Sequence, residues 1–188
     1  MTMDKYCLLI HKQKPLSAIR EVLDGFFPGA SQEKLANDTF LFRLPAFEEP
    51  PAIEDLRNLI ITDFEENLTM AYLPETLLSW IDKDLLVYHL SHLPYDEYDA
   101  EGLVLSMIMH DEKTKKTLRK TLTGMLSQSA ISTALSLVEA DMNHTVAAAN
   151  LYIHRNTLLY RIDQIEALTG IAVRRFKGLM VFYLLFTL

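Results

Sequence analysis

A chain of 188 residues with 49% hydrophobic side chains is long enough for a true core and for two small domains. Its 18 Lys and Arg against 25 Asp and Glu give a formal net charge of -7, which excludes a surface that attracts polyanions throughout. The charge is divided, however: residues 1–110 carry 8 basic and 19 acidic side chains, whereas residues 111–188 carry 10 basic and 6 acidic, so only the second part suits a phosphate backbone.

In chain order, residues 5–10 read as a buried strand, and its Cys7, the only cysteine, reads as a small buried hydrophobe with no disulfide partner. Pro15 opens a helical pattern with Leu16, Ile19, Leu23 and Phe26 or Phe27 on one stripe, closed by Pro28 and Gly29. Residues 31–44 predict a hairpin: a short strand at 31–35, a turn at Asn37 and Asp38, and a strand at 39–44. A proline-marked linker, 45–51, leads to a helix with Ile53, Leu56, Leu59 or Ile60, and Phe64 on one side, then to a strand at 68–72. Strand, helix, strand, strand, helix, strand is the order of a small ferredoxin-like α+β unit, expected over residues 1–73.

Two helices, 74–90 and 97–110, are expected to connect this unit to a C-terminal all-α domain, with the connection ending at 112 and the domain spanning 113–188. After a polar junction at 111–116, Leu118, Leu122, Met125 and Leu126 form the packing stripe of the next helix. Lys115, Lys116, Arg119 and Lys120 lie mostly outside it, available to DNA phosphates or simply to water. Residues 133–141 are apolar at helical spacing. Thr145 is expected to cap a short alanine-rich helix ending at Asn150, after which Leu151, Tyr152 and Ile153 read as a turn carrying core side chains. His154 then caps a helix over 155–168, whose Leu158, Ile162 and Ile165 share a face that Leu168 extends, and Gly170 stops it. Asn156, Tyr160 and Asp163 lie opposite that face, with Arg155, Leu159 and Arg161 flanking it.

A short helix, a turn and a helix of this design form a helix-turn-helix, expected over about residues 132–170, and such an element enters the major groove of DNA end-on. An arginine can donate two hydrogen bonds to guanine O6 and N7, and an asparagine can pair with adenine N6 and N7. Arg155 and Asn156 are placed to do so, and Tyr160 extends the readable face by one turn. Thr157 is assigned to a phosphate or capping contact, and Arg161 to a phosphate. The same patterning occurs in three-helix proteins that never touch DNA, so spacing alone leaves both readings open.

The run Leu151, Ile153, His154, Arg155, Asn156, Thr157, Leu158, Tyr160, Arg161, Ile162, followed by Leu168, Thr169 and Gly170, resembles the C-terminal helix-turn-helix domain of the purine catabolism and sugar diacid transcription regulators. The similarity covers about residues 115–188. It implies sequence-specific DNA binding, with Arg155, Asn156, Thr157, Leu159, Tyr160 and Arg161 on the recognition helix, double-stranded DNA as partner and a homodimer on paired half-sites. Leu159 departs from the arginine often found there, exchanging a polar contact for one that suits a thymine methyl. The front part resembles, less specifically, the degenerate nucleotide-cyclase-like domain of sugar diacid regulators, but lacks the Gly-Gly-Asp/Glu-Glu-Phe motif, so cyclase activity is not implied.

The leading alternative is a non-enzymatic ligand-sensing or protein-interaction module that keeps the fold with weak or no DNA binding; the acidic front part and Leu159 favour it. Catalysis is not expected, because His89, His92 and His110 follow no metal, phosphate-loop or nucleophile motif. No cofactor is implied, and an effector of unknown chemistry is compatible with the front part. The start of the chain lacks the pattern of a signal peptide, and the apolar residues 179–188 make about half a membrane span, so a cytoplasmic, non-membrane protein is expected.

Overall fold

The computed structural model describes residues 6–12, 19–44, 53–64 and 67–187. Pro15, Leu16 and the linker at 45–51 lie outside them. The chain divides into two units, Met1–Ala100 and Glu101–Leu188, a division that falls inside the span expected to connect two domains.

In the first unit, β1 (Tyr6–Lys12), α1 (Arg20–Phe26), β2 (Ser31–Lys34), β3 (Thr39–Arg43), α2 (Ile53–Phe64) and β4 (Leu68–Pro74) follow the expected order. Strand β1 lies between β3 and β4, antiparallel to both, and β2 flanks β3. This is the ferredoxin-like arrangement. The alternation of β-strand side chains explains how one face collects its core: Leu8 stands across from Phe42, and Ile10 across from Phe40 and Met70. Against that face pack Ile19, Leu23 and Phe27 from and around α1, and Ile53, Leu56 and Ile60 from α2. Of the paired candidates, Phe27 and Ile60 are therefore the fully buried members. Cys7 is completely buried, and burial pushes its thiol up to about 11, which keeps it in the unreactive protonated form.

Two expectations for residues 74–110 are corrected. Instead of one helix over 74–90, a 3₁₀ turn at Glu75–Ser79 breaks before α3 (Lys83–Leu90). Asp82 causes the break, because its carboxylate accepts from the backbone N–H groups of Asp84 and Leu85 at 3.0 and 3.1 Å and so starts a new helix. Residues 97–99 are not helical but form β5 (Glu97–Asp99), which pairs parallel with β4 and adds a fifth strand. Three residues with no apolar stripe become a strand only because the β4 edge offers partners, one being Met70 N–H donating to the Asp96 carbonyl at 2.9 Å. On the opposite edge, Glu33 of β2 accepts from Lys83 at 2.5 Å and from Arg43 at 2.9 Å. These cations hold its carboxyl below the ordinary range, Lys83 more than Arg43.

The second unit is helical: α4 (Ala100–His110), α5 (Glu112–Met125), α6 (Gln128–Glu139), α7 (His144–Asn150), α8 (Arg155–Thr169) and α9 (Phe176–Phe186). The polar segment 111–116 is the first turn of α5 rather than a junction, since Asp111 caps it through Lys113 and Thr114 N–H at 3.1 and 2.9 Å. Helix α6 likewise starts earlier than its apolar pattern, where Ser127 caps Ala130 at 3.2 Å. Helix α9 packs on α5 and α6 through buried Leu179, Val181, Phe182 and Leu185. Its Gly178 lies so close to the loop before it that an added Cβ would sit 2.1 Å from the Ala172 carbonyl oxygen. That loop is held from the other side by Glu101 of α4, a buried carboxylate accepting from Ala172 N–H at 2.7 Å. Among the described residues, no helix is long and apolar enough to cross a membrane.

Candidate nucleic-acid interface

Helices α6, α7 and α8 pack on one another around small side chains. Ala147 and Ala148 are buried, and the Ser136 hydroxyl donates to the Ala147 carbonyl at 3.2 Å, a distance that a bulky residue in either position would forbid. The expected cap at Thr145 is displaced by two residues. Asn143 is the cap, its side-chain oxygen accepting from Thr145 and Val146 N–H at 3.0 and 3.2 Å, and the helix begins at His144. The link from α6 is tight enough to put Asp141 and Met142 at φ 48° and 64°.

The turn into α8 also differs from expectation. Leu151 and Ile153 are half-buried, but Tyr152, expected with them as a core side chain, is 97% exposed at φ 54°. A left-handed residue reverses the chain so that its side chain leaves the path of its neighbours. His154 caps α8 as expected, with Nδ1 accepting from Asn156 N–H at 3.2 Å. An accepting Nδ1 means that the ring proton sits on Nε2. His154→Ala is expected to lower stability by about 1 kcal/mol, and His154→Asp to retain it, as read by thermal denaturation.

Leu158, Ile162 and Ile165 form the buried stripe of α8. Leu168 does not extend it: this residue is half-exposed, and Thr169 takes the buried place four residues after Ile165. The Thr169 hydroxyl donates to the Ile165 carbonyl at 2.7 Å and accepts from Ile171 N–H at 3.2 Å, and Gly170 ends the helix at φ 69°. Across from the stripe, Arg155, Asn156, Thr157 and Tyr160 are exposed, while Leu159 and Arg161 are intermediate. Among the described residues, none engages the side chains of Arg155, Asn156, Thr157 or Arg161 by hydrogen bond or ion pair.

Sequence reasoning missed Gln164, whose side-chain amide donates to the Tyr160 hydroxyl at 2.8 Å and fixes that ring; the signal was its i+4 spacing on the exposed face. The acidic residues of α8 are engaged elsewhere. Arg174 pairs with both Asp163 and Glu166, and its backbone N–H donates to Glu166 at 3.0 Å, so one of their two negative charges is offset locally. An apolar cavity of about 340 Å³ between α6 and α9 has Met142 and Phe176 at its lining, with Asp141 the one ionisable group there among the described residues. Among the described residues no cluster of three or more His, Cys, Asp or Glu could hold a metal, and His89 is buried.

Residues 130–188 match the PucR C-terminal helix-turn-helix domain. This segment belongs to that family. The PucR domain thus begins inside α6 and takes in α7, α8 and α9, including every residue of the exposed face. The chain is also 33% identical over 81 residues to the uncharacterized protein YxkF of Bacillus subtilis (strain 168), a match covering 41% of this chain and 27% of that protein. It is similar in structure to the regulator of polyketide synthase expression from Bifidobacterium adolescentis, with a TM-score of 0.46 and 13% identity over 97% of this chain and 78% of that one.

Proposed function

We propose that the chain is a cytoplasmic, sequence-specific DNA-binding transcription regulator that acts as a dimer, with α8 of the PucR domain as its recognition helix. The observation that carries this reading is the first two turns of α8: a cluster of unengaged polar side chains faces solvent on a helix anchored by Leu158 and Ile162. Arg155 and Asn156 read base edges, Tyr160 and Leu159 meet the groove beyond them, and Thr157 and Arg161 bind phosphates. A single helix covers only a few base pairs, so two copies on related half-sites supply useful specificity.

The test is in-vitro selection from a random duplex library, followed by mobility-shift titration of the enriched duplex. Arg155→Ala and Asn156→Ala are each expected to reduce discrimination against a scrambled duplex by about tenfold or more, and Arg161→Ala to weaken binding to both and flatten the salt dependence. Paired half-sites in the selected sequence support the dimer. Tight binding unchanged by Arg155→Ala and Asn156→Ala overturns the recognition-helix assignment, and failure to enrich any sequence favours an interaction or ligand-sensing module.

A further inference from the structure

The least expected side chain in the PucR domain is Tyr152. Among the described residues it is the most exposed of the large hydrophobic side chains, at 97%, so it contributes nothing to the core. Its φ of 54° lies in the region that glycine occupies without strain and tyrosine does not. The turn itself is rigid: Tyr152 N–H donates to the Ala149 carbonyl and Ile153 N–H to the Ala148 carbonyl, both at 3.0 Å. Among the described residues, none engages the phenol by hydrogen bond or ring contact. A bulky ring therefore stands at a position where the fold by itself favours glycine.

We infer that Tyr152 is a DNA-backbone contact that positions the recognition helix, its hydroxyl donating to a phosphate oxygen at the edge of the groove that α8 enters. The inference rests on the reading of α8 as the recognition helix. Tyr152 lies three positions before Arg155, so their Cα atoms are at most about 11 Å apart, and a side chain rooted in the preceding turn borders the groove rather than its floor. Tyrosine is among the residues that donate to phosphate oxygens in duplex complexes. Stacking on a base would require an unpaired base, which a duplex does not present. Leu151 and Ile153 on either side of it are half-buried, and its exposed near neighbours in sequence, Ala149, Asn150 and His154, carry no large apolar side chain, which favours a polar partner.

The experiment uses the full chain, the duplex enriched by selection and a scrambled duplex of the same length. Tyr152→Phe keeps the ring and removes only the hydroxyl. It is expected to bind both duplexes about tenfold more weakly, because a hydrogen bond to a charged phosphate is lost at every site. The selectivity ratio stays the same, and so does the salt dependence, since a tyrosine displaces no counterion. Tyr152→Gly shows the same loss with a melting temperature equal to or above that of the wild type, which separates the contact from any role in folding. Wild-type binding by Tyr152→Phe, with Arg155→Ala losing selectivity, overturns the Tyr152 contact and leaves the recognition helix standing. Wild-type binding by both overturns both, as does the absence of any enriched duplex. A change in selectivity by Tyr152→Phe would make the contact one to a base and overturn the phosphate assignment.

Discussion

Gly178→Ala is expected to destabilise the helical unit by about 3 kcal/mol, even though alanine is the better helix former by about 1 kcal/mol. The new methyl would lie 2.1 Å from the Ala172 carbonyl oxygen and 2.6 Å from its carbon, both backbone atoms that no rotamer change can move. The loop cannot retreat cheaply, because Glu101 holds Ala172 and the neighbouring Val173 is buried in the core. Gly124→Ala in α5 is the control: nothing lies within 4 Å of its added Cβ, so only helix propensity acts and a gain of up to about 1 kcal/mol follows. Thermal melts of the two variants should move in opposite directions. Equal shifts would mean that α9 does not approach the loop as described.

The second large effect concerns α8. Ile162→Ala removes a fully buried side chain from the middle of the stripe and is expected to cost about 2–5 kcal/mol, with loss of DNA binding following from loss of the fold. Tyr160→Ala, two positions earlier on the exposed face, should leave the free energy of unfolding within about 0.5 kcal/mol of the wild type. Its effect is expected in binding alone. Chemical denaturation of both variants checks the contrast, and an equal loss of stability would show that the Tyr160 and Gln164 pair has a structural role.

Much of this site was legible because a helix repeats at about 100° per residue, so the spacing of Leu158, Ile162 and Ile165 assigned the opposite face to Asn156 and Tyr160. The cap at His154 and the stop at Gly170 marked both ends. Leu168 was misread because hydrophobicity continued the stripe, whereas one hydroxyl bond inside the last turn let Thr169 occupy the buried place. Asn143 and Thr145 are both competent caps, and local sequence does not choose between them. The choice follows from the left-handed pair Asp141 and Met142, which brings the Asn143 side chain to the free N–H groups. Tyr152 was read as core from its apolar neighbours, but a positive φ is not encoded in hydropathy. In the first unit, the apolar run at 5–10 and the strand pattern at 39–44 mark two strands of the sheet, while β5 carries no such signal because its strand character comes from its partner.

The hydrogen bond between Glu101 and Ala172 bears on how the protein can be dissected. The PucR match begins at residue 130, yet a part-buried backbone N–H inside the matched segment is satisfied by a side chain 71 positions upstream, on α4. A fragment cut at the family boundary would leave that N–H without its acceptor and strip α5 from α9. The smallest piece that keeps this contact therefore extends back to α4, and stability measured on a shorter excision would describe a damaged domain rather than the native one.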